Sequence, residues 1–215
     1  NGHPTDKIEL IIKGGTWGVY PLAYQYWFIL RSFEACNNMS LRGAKRRGHP
    51  LSSEPTWHSE EGIPTPPLGA RDDIKKLLHK QQKINEKAKH RIIGLTLETR
   101  PDFINERNIA VMRELGCTRV ELGVQTTHED ILKLIKRGHT AEQVKQATKL
   151  LKNYGFKVDY HLMPMLPGST PKKDLEMLKE IFSDADFRPD MIKIYPCSVV
   201  KNSELYTWFQ EGKYQ

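Results

Sequence analysis

From residue 91 onward, short apolar stretches alternate with longer helix-patterned ones, and this constrains the fold more than any other feature of the chain. Strand-like "RIIGLTLE" is followed by helical "NERNIAVMRELG", strand "RVELGVQ", helices "HEDILKLIKRG" and "AEQVKQATKLLKNYG", strand "KVDYHLMP", helix "PKKDLEMLKEIF" and strand "MIKIYP". Strands separated by whole helices cannot pair as hairpins, so they form a parallel sheet with right-handed crossovers. The helix ends are marked in the sequence. Thr140 with Gln143 makes a capping box, Thr170 with Pro171 makes an N-cap followed by proline, and Gly116 and Gly155 sit where C-terminal caps belong. Upstream, the strand "KIELII" ends on Gly14, Gly15 and Thr16, and "YPLAYQYWFILRSFEAC" reads as a helix with Tyr24, Trp27, Phe28 and Phe33 as its apolar residues. At 215 residues the whole is most simply one domain, 1–215.

The strands lack the continuous apolar character of strands buried on both faces. Thr96, Glu98 and Arg100 share one face of "TLETR" against Leu95 and Leu97. Glu121, Gly123 and Gln125 oppose Val120, Leu122 and Val124, and Asp159 and His161 oppose Val158, Tyr160 and Leu162. Lys193 and Tyr195 oppose Ile192 and Ile194, and Glu9 and Lys13 oppose Leu10 and Ile12. If helices cover the apolar face, the polar faces converge on one inner surface. That lumen is either a self-satisfying ion-pair network, for example Arg100 with Glu98 or Glu121, or the seat of a polar ligand at the C-terminal strand ends. Glu98, Arg100, His161, Lys193 and Tyr195 are its candidate side chains.

Between these regions the texture changes. Residues 37–70 hold five prolines and four glycines in 34 positions with no sustained period, the pattern of a disordered insertion. The following "RDDIKKLLHKQQKINEKAKHR" is a basic amphipathic helix with Ile74, Leu77, Leu78 and Ile84 as its stripe. It is either a solvated helix lying on the sheet or an RNA-contacting surface through Lys76, Lys80 and Lys83. The net charge of +7 and pI near 9.2 permit a polyanionic partner. Cys36, Cys117 and Cys197 are scattered, with no zinc spacing, which fits a reducing cytoplasmic setting and leaves no metal ligand set in this chain. No apolar run suggests a membrane span or a signal peptide.

Six stretches carry a family resemblance: "HPTDKIELIIKGGTW", "IGLTLETRPDF", "GCTRVELGVQTTHEDILKLIKRGHT", "GFKVDYHLMPMLPG", "DFRPDMIKIYP" and "LYTWFQEGKY". In this order they resemble the radical-SAM domain of the Elongator catalytic subunit family, over residues 2 to 33 and 71 to 214. The resemblance implies an α/β fold, a partial parallel (β/α) barrel of the radical-SAM type. It implies a [4Fe-4S] cluster with S-adenosylmethionine on its unique iron, whose cleavage gives a deoxyadenosyl radical. That radical acts on acetyl-CoA so that a carboxymethyl group is added to C5 of the wobble uridine of tRNA. Partners implied are tRNA and other Elongator subunits. By the same resemblance Gly14, Gly15 and Thr16 receive the amino group of the methionine moiety, Glu121 and Gln125 lie near its ribose, and Lys7 binds acetyl-CoA.

The departures from the family are as informative. Its cluster cysteines lie upstream of the matched segment, so the first barrel strand and the thiolate ligands are expected to be absent, as is its acetyltransferase-like domain. Met165 stands where the family has an acidic residue, and Thr126-Thr127 replaces a Gln-Ser-like end. The chain is expected to be inactive alone. The rival readings are a cluster-less RNA-binding or scaffold protein with the same barrel and a coproporphyrinogen oxidase-like radical-SAM enzyme. "ETRPD" and "KRGHT" together favour the Elongator type.

Overall fold

The structure, a computed structural model, describes residues 4–42 and 70–214. Five parallel strands follow one another in sheet order β1-β2-β3-β4-β5: β1 Lys7–Ile12, β2 Arg91–Thr99, β3 Arg119–Gln125, β4 Lys157–Leu162 and β5 Met191–Ile194. The helices are α1 Leu22–Arg42, α2 Ala70–Asn85, α3 Glu106–Glu114, α4 Glu129–Leu134, α5 Ala141–Asn153, α6 Pro171–Ser183 and α7 Glu204–Gln210. The α/β alternation expected from the sequence is therefore present, and α7 adds a helix that periodicity did not flag. The chain divides into two compact units, residues 1–97 with 110–118, and residues 98–109 with 119–215.

In the first unit β1 pairs with β2 and α1 packs on α2, with Tyr26, Ile29, Leu30 and Phe33 of α1 and Ile74 and Leu78 of α2 all buried. This corrects the stripe expected on α2. Of the four apolar residues named on α1 only Phe33 is buried, Tyr24, Trp27 and Phe28 being half-buried, and of the stripe expected on α2 Leu77 and Ile84 are exposed. The boundary at residue 37 is corrected as well, because α1 continues to Arg42. "NNMS" reads as turn-forming by propensity, but tertiary bonds override it. The buried Asn37 amide donates to Gln81 Oε1 at 2.7 Å, and Asn85 Nδ2 donates to Asn37 Oδ1 at 2.7 Å. Asn85 Oδ1 in turn accepts from the Ile92 amide at 2.7 Å, so one amide relay joins both helices to the start of β2. Residues 43–69, the rest of the expected insertion, lie outside the described residues.

In the second unit β3, β4 and β5 pair in register, Val120 beside Val158, Glu121 beside Asp159, Leu122 beside Tyr160 and His161 beside Lys193. Val120, Leu122, Val158, Tyr160 and Leu162 are all fully buried, and helices α5 and α6 bury Val144, Ala147, Leu151, Met177 and Ile181. The capping box of Thr140 and the N-cap of Thr170 form as their sequences imply. At β5 the pattern weakens: Ile194 is 48% exposed, so its side chain is not the core residue that alternation suggested.

Candidate functional site

The polar strand faces of the second unit do come together. Glu121, with no exposed surface, accepts a hydrogen bond from the Lys193 ammonium and pairs with His161 Nε2 at 2.6 Å. The other nitrogen of the ring, Nδ1, lies 3.5 Å from Glu98, and Tyr195 sets its ring edge-on to the imidazole at 5.3 Å between centroids. Four strands thus each contribute one or two groups, because i and i+2 on a strand share a face and register neighbours stand side by side. Glu98, Glu121 and His161 place ligating atoms within 4.8 Å of one another and could hold a metal ion, although Lys193 already supplies a positive charge to Glu121. No group with a cysteine has that geometry among the described residues.

Arg100 is not the lumen's counterion. Its guanidinium forms a bidentate pair with Asp102, at 2.9 and 2.6 Å, which holds it above the usual arginine range, and lies 5.5 Å over the Phe103 ring. The proline turn after β2 explains this, since residues 101–103 form a 3-10 turn that carries Asp102 back beside Arg100. The ion-pair network foreseen for the lumen therefore exists with other members, His161 and Lys193.

At the end of β3 lies a feature that the sequence did not single out. Gln125 has φ +71°, and the Thr126 amide bonds back to the Val124 carbonyl at 2.9 Å, a γ-turn of the rare positive-φ kind. A non-glycine residue held there stores strain. The Gln125 carbonyl receives the Met163 amide at 2.8 Å, while its side-chain Oε1 is buried without a hydrogen-bond partner. Arg137 donates to the Gly123 carbonyl at 3.0 Å, and His139 Nε2 bonds to the Val124 carbonyl at 3.2 Å, leaving a buried Nδ1 without a partner. Burial, then the neighbouring Arg100 charge, lowers the Arg137 pKa, and burial keeps His139 below the ordinary imidazole range. A Cβ on Gly123 would meet the Arg137 guanidinium at 2.4 Å, so any larger residue there would displace that side chain. "KRGHT" entered the sequence reading only as part of a family block. The signal that could have found Arg137 and His139 is two cationic types flanking a glycine, just before a capping threonine.

The first unit carries the remaining candidates. Gly14 and Gly15 both have φ +119°, and a Cβ on either would meet nothing within 4 Å, so their backbone shape rather than tight packing calls for glycine. Thr16 is half-buried and its carbonyl accepts from Val19 at 3.1 Å. Lys7 is exposed at the start of β1, roughly 16 Å by strand rise from Ile12. Lys76, Lys80 and Lys83 are exposed on α2. Cys36 is half-buried on α1 and Cys117 is buried before β3. In the second unit, the Cys197 amide bonds to the Pro164 carbonyl. Met165, where an acidic residue was anticipated, is exposed at φ +64°, its amide on Asp174 and its carbonyl on the Tyr214 hydroxyl. No helix among the described residues is long and apolar enough to cross a membrane.

Comparison with known proteins accounts for this arrangement. Residues 63–181 match the radical SAM superfamily. A tRNA uridine(34) acetyltransferase of Methanocaldococcus infernus is 46% identical over all of this chain, and that of Dehalococcoides mccartyi is 41% identical over 99% of it. Elongator complex protein 3 of Homo sapiens is 33% identical over the whole chain. The chain spans about a third of the length of these relatives, 34%, 39% and 33% respectively. The solved archaeal Methanocaldococcus infernus Elp3 with an N-terminal deletion superposes with a TM-score of 0.79, covering 100% of this chain and 42% of that one. The chain, with its parallel strands and partial (β/α) barrel, belongs to the radical SAM superfamily, in its Elongator catalytic subunit family.

Proposed function

We propose that the protein containing this chain modifies the wobble uridine of tRNA, adding an acetyl-CoA-derived carboxymethyl group at C5, in the cytoplasm and together with other Elongator subunits. The observation that carries the reading is Gln125: a strained γ-turn holds an amide oxygen buried and unsatisfied at a strand end, where parallel α/β sites take their ligands. Such an oxygen suits a ribose hydroxyl of S-adenosylmethionine. Arg137, whose described partner is a carbonyl, suits a carboxylate, and Glu121 lies four residues back along β3, roughly 13 Å deeper by strand rise. In the first unit, the backbone of Gly14, Gly15 and Thr16 suits an ammonium group, and Lys7 a phosphate of acetyl-CoA.

Bound S-adenosylmethionine supplies radical chemistry. The residues of this chain do not fit an iron-sulfur cluster, because none of its cysteines joins a ligating group among the described residues. What the chain itself supplies is orientation and exclusion of water around a lumen in which the buried Glu121 is paired by His161 and Lys193.

The test uses the full-length protein. Incubated with tRNA, acetyl-CoA and S-adenosylmethionine under anaerobic reducing conditions, it should yield carboxymethylated uridine at position 34 by nucleoside mass analysis. Gln125→Asn, which tolerates positive φ while withdrawing the oxygen, should weaken S-adenosylmethionine binding roughly ten-fold, the value of about one hydrogen bond. Parental affinity in that variant would remove the ribose assignment.

A further inference from the structure

Immediately after the Gly14-Gly15-Thr16 turn, the first unit assembles five aromatic rings. Trp17, only 4% exposed, anchors them, edge-on to Phe28 at 5.9 Å and tilted against Tyr20 at 5.7 Å. Tyr24 is the hub, with its ring 5.3 Å from Tyr20, 5.8 Å from Trp27 and 6.1 Å from Phe28, at interplanar angles of 35°, 35° and 37°. Apart from Trp17, these rings lie outside the buried core. Tyr26, Ile29, Leu30 and Phe33 fill the buried face of α1, and Tyr26 also binds Glu114, whereas Tyr20, Tyr24, Trp27 and Phe28 stay half-buried beside Val19, which is 64% exposed. A contiguous, partly exposed aromatic surface that the core does not use is a candidate binding surface.

We infer that Tyr20, Tyr24, Trp27 and Phe28 form a stacking platform for unpaired bases of an RNA. The inference rests on the tRNA reading and goes beyond it by naming the surface that holds the single-stranded part of the substrate. Three observations select RNA over a protein occupant. Proteins that hold single strands combine aromatic faces with cations tracking the backbone. Here α2, packed on α1 in the same unit, carries Lys76, Lys80 and Lys83 exposed, and the whole chain has a net charge of +7. The relatives, moreover, are named for uridine(34), an unpaired anticodon base. The rings are rigid and two of them end in hydroxyls, so they are compatible with water when no base is bound.

The experiment measures binding of an unstructured oligouridylate and of a fully paired RNA to the full-length protein across salt concentrations. Tyr24→Leu and Trp27→Leu should each weaken oligouridylate binding about ten-fold or more, with the slope of log affinity on log salt unchanged, because stacking releases no counterions. Tyr24→Phe should bind as the parent does. Replacing Lys76, Lys80 and Lys83 by glutamate should instead flatten the slope. An oligouridylate carrying one 5-iodouridine, irradiated on the unaltered protein, should attach within residues 17–28, which decides the matter even if a leucine variant fails to fold. Parental affinity in both leucine variants, or attachment elsewhere, overturns the platform and leaves the tRNA reading standing; a protein occupant of the rings would give that result. Absence of any RNA binding overturns both.

Discussion

Glu121 and Asp159 are register neighbours on adjoining strands, both with no exposed surface, and the chain treats them in opposite ways. Around Glu121 the next residues along the shared faces bring His161 to 2.6 Å and Lys193 into direct contact, so both carboxylate oxygens are engaged. Asp159 has Arg119 Nε at 3.8 Å and no hydrogen bond to either oxygen. Burial raises its pKa, Arg119 offsets part of this, and the Glu121 charge adds to it. Equal burial therefore does not mean equal hydrogen bonding. What differs is whether the neighbouring strand offers a donor at hydrogen-bonding range, since desolvating a carboxylate without one costs more than its distant Coulomb partner returns.

Glu121→Ala should produce the largest effect. Removing one member of a buried charge group leaves the others uncompensated, at a cost of about 3 kcal/mol, read as a lower urea midpoint with an unchanged slope. Lys193→Met should cost less, about 1 to 2 kcal/mol, because Glu121 keeps its bond to His161 and Lys193 is 21% exposed and partly hydrated already. A Glu121→Gln, Lys193→Met double variant should be more stable than the sum of its singles predicts. Strict additivity would mean that the two side chains do not act as a unit, and the contrast with Asp159 would lose its basis.

Much of this was legible in the sequence, for reasons that also explain the failures. Period-2 alternation placed Glu98, Glu121, His161, Lys193 and Tyr195 on inward faces, because side-chain direction in a strand is fixed by backbone geometry alone. Helix caps at Thr140 and Thr170 were legible because the capping bonds are local. Pairings between strands were not. Arg100 turned to Asp102 two residues away, not across the lumen, since a tight proline turn outcompetes a longer reach. Asn37 looked like a loop residue because its partners, Gln81 and Asn85, lie more than forty positions away. The γ-turn at Gln125 has no sequence signature, because glutamine is not a residue that favours positive φ.

The smallest expected effect is the most diagnostic for the comparison. Asp159→Asn should change stability by no more than about 1 kcal/mol at neutral pH, in the stabilising direction, since it removes a buried charge that has no hydrogen bond while the Arg119 side chain stays partly exposed. The pH dependence fixes the sign. An acid whose pKa is raised on folding holds its proton longer in the folded state, so the folded chain binds more protons than the unfolded one between the ordinary aspartate value and the raised one. Stability contributed by Asp159 is then greatest at acid pH, falls as pH rises through that window and is flat above it. Glu114, Asp184 and Asp190, whose pKa values are lowered, act in the opposite sense, but they are common to both proteins and cancel in the difference. The stability of Asp159→Asn minus that of the parent should therefore rise with pH across the window and level off. A difference that falls with pH instead would mean that folding lowers the Asp159 pKa, so that burial does not dominate there and the contrast with its hydrogen-bonded neighbour loses its basis.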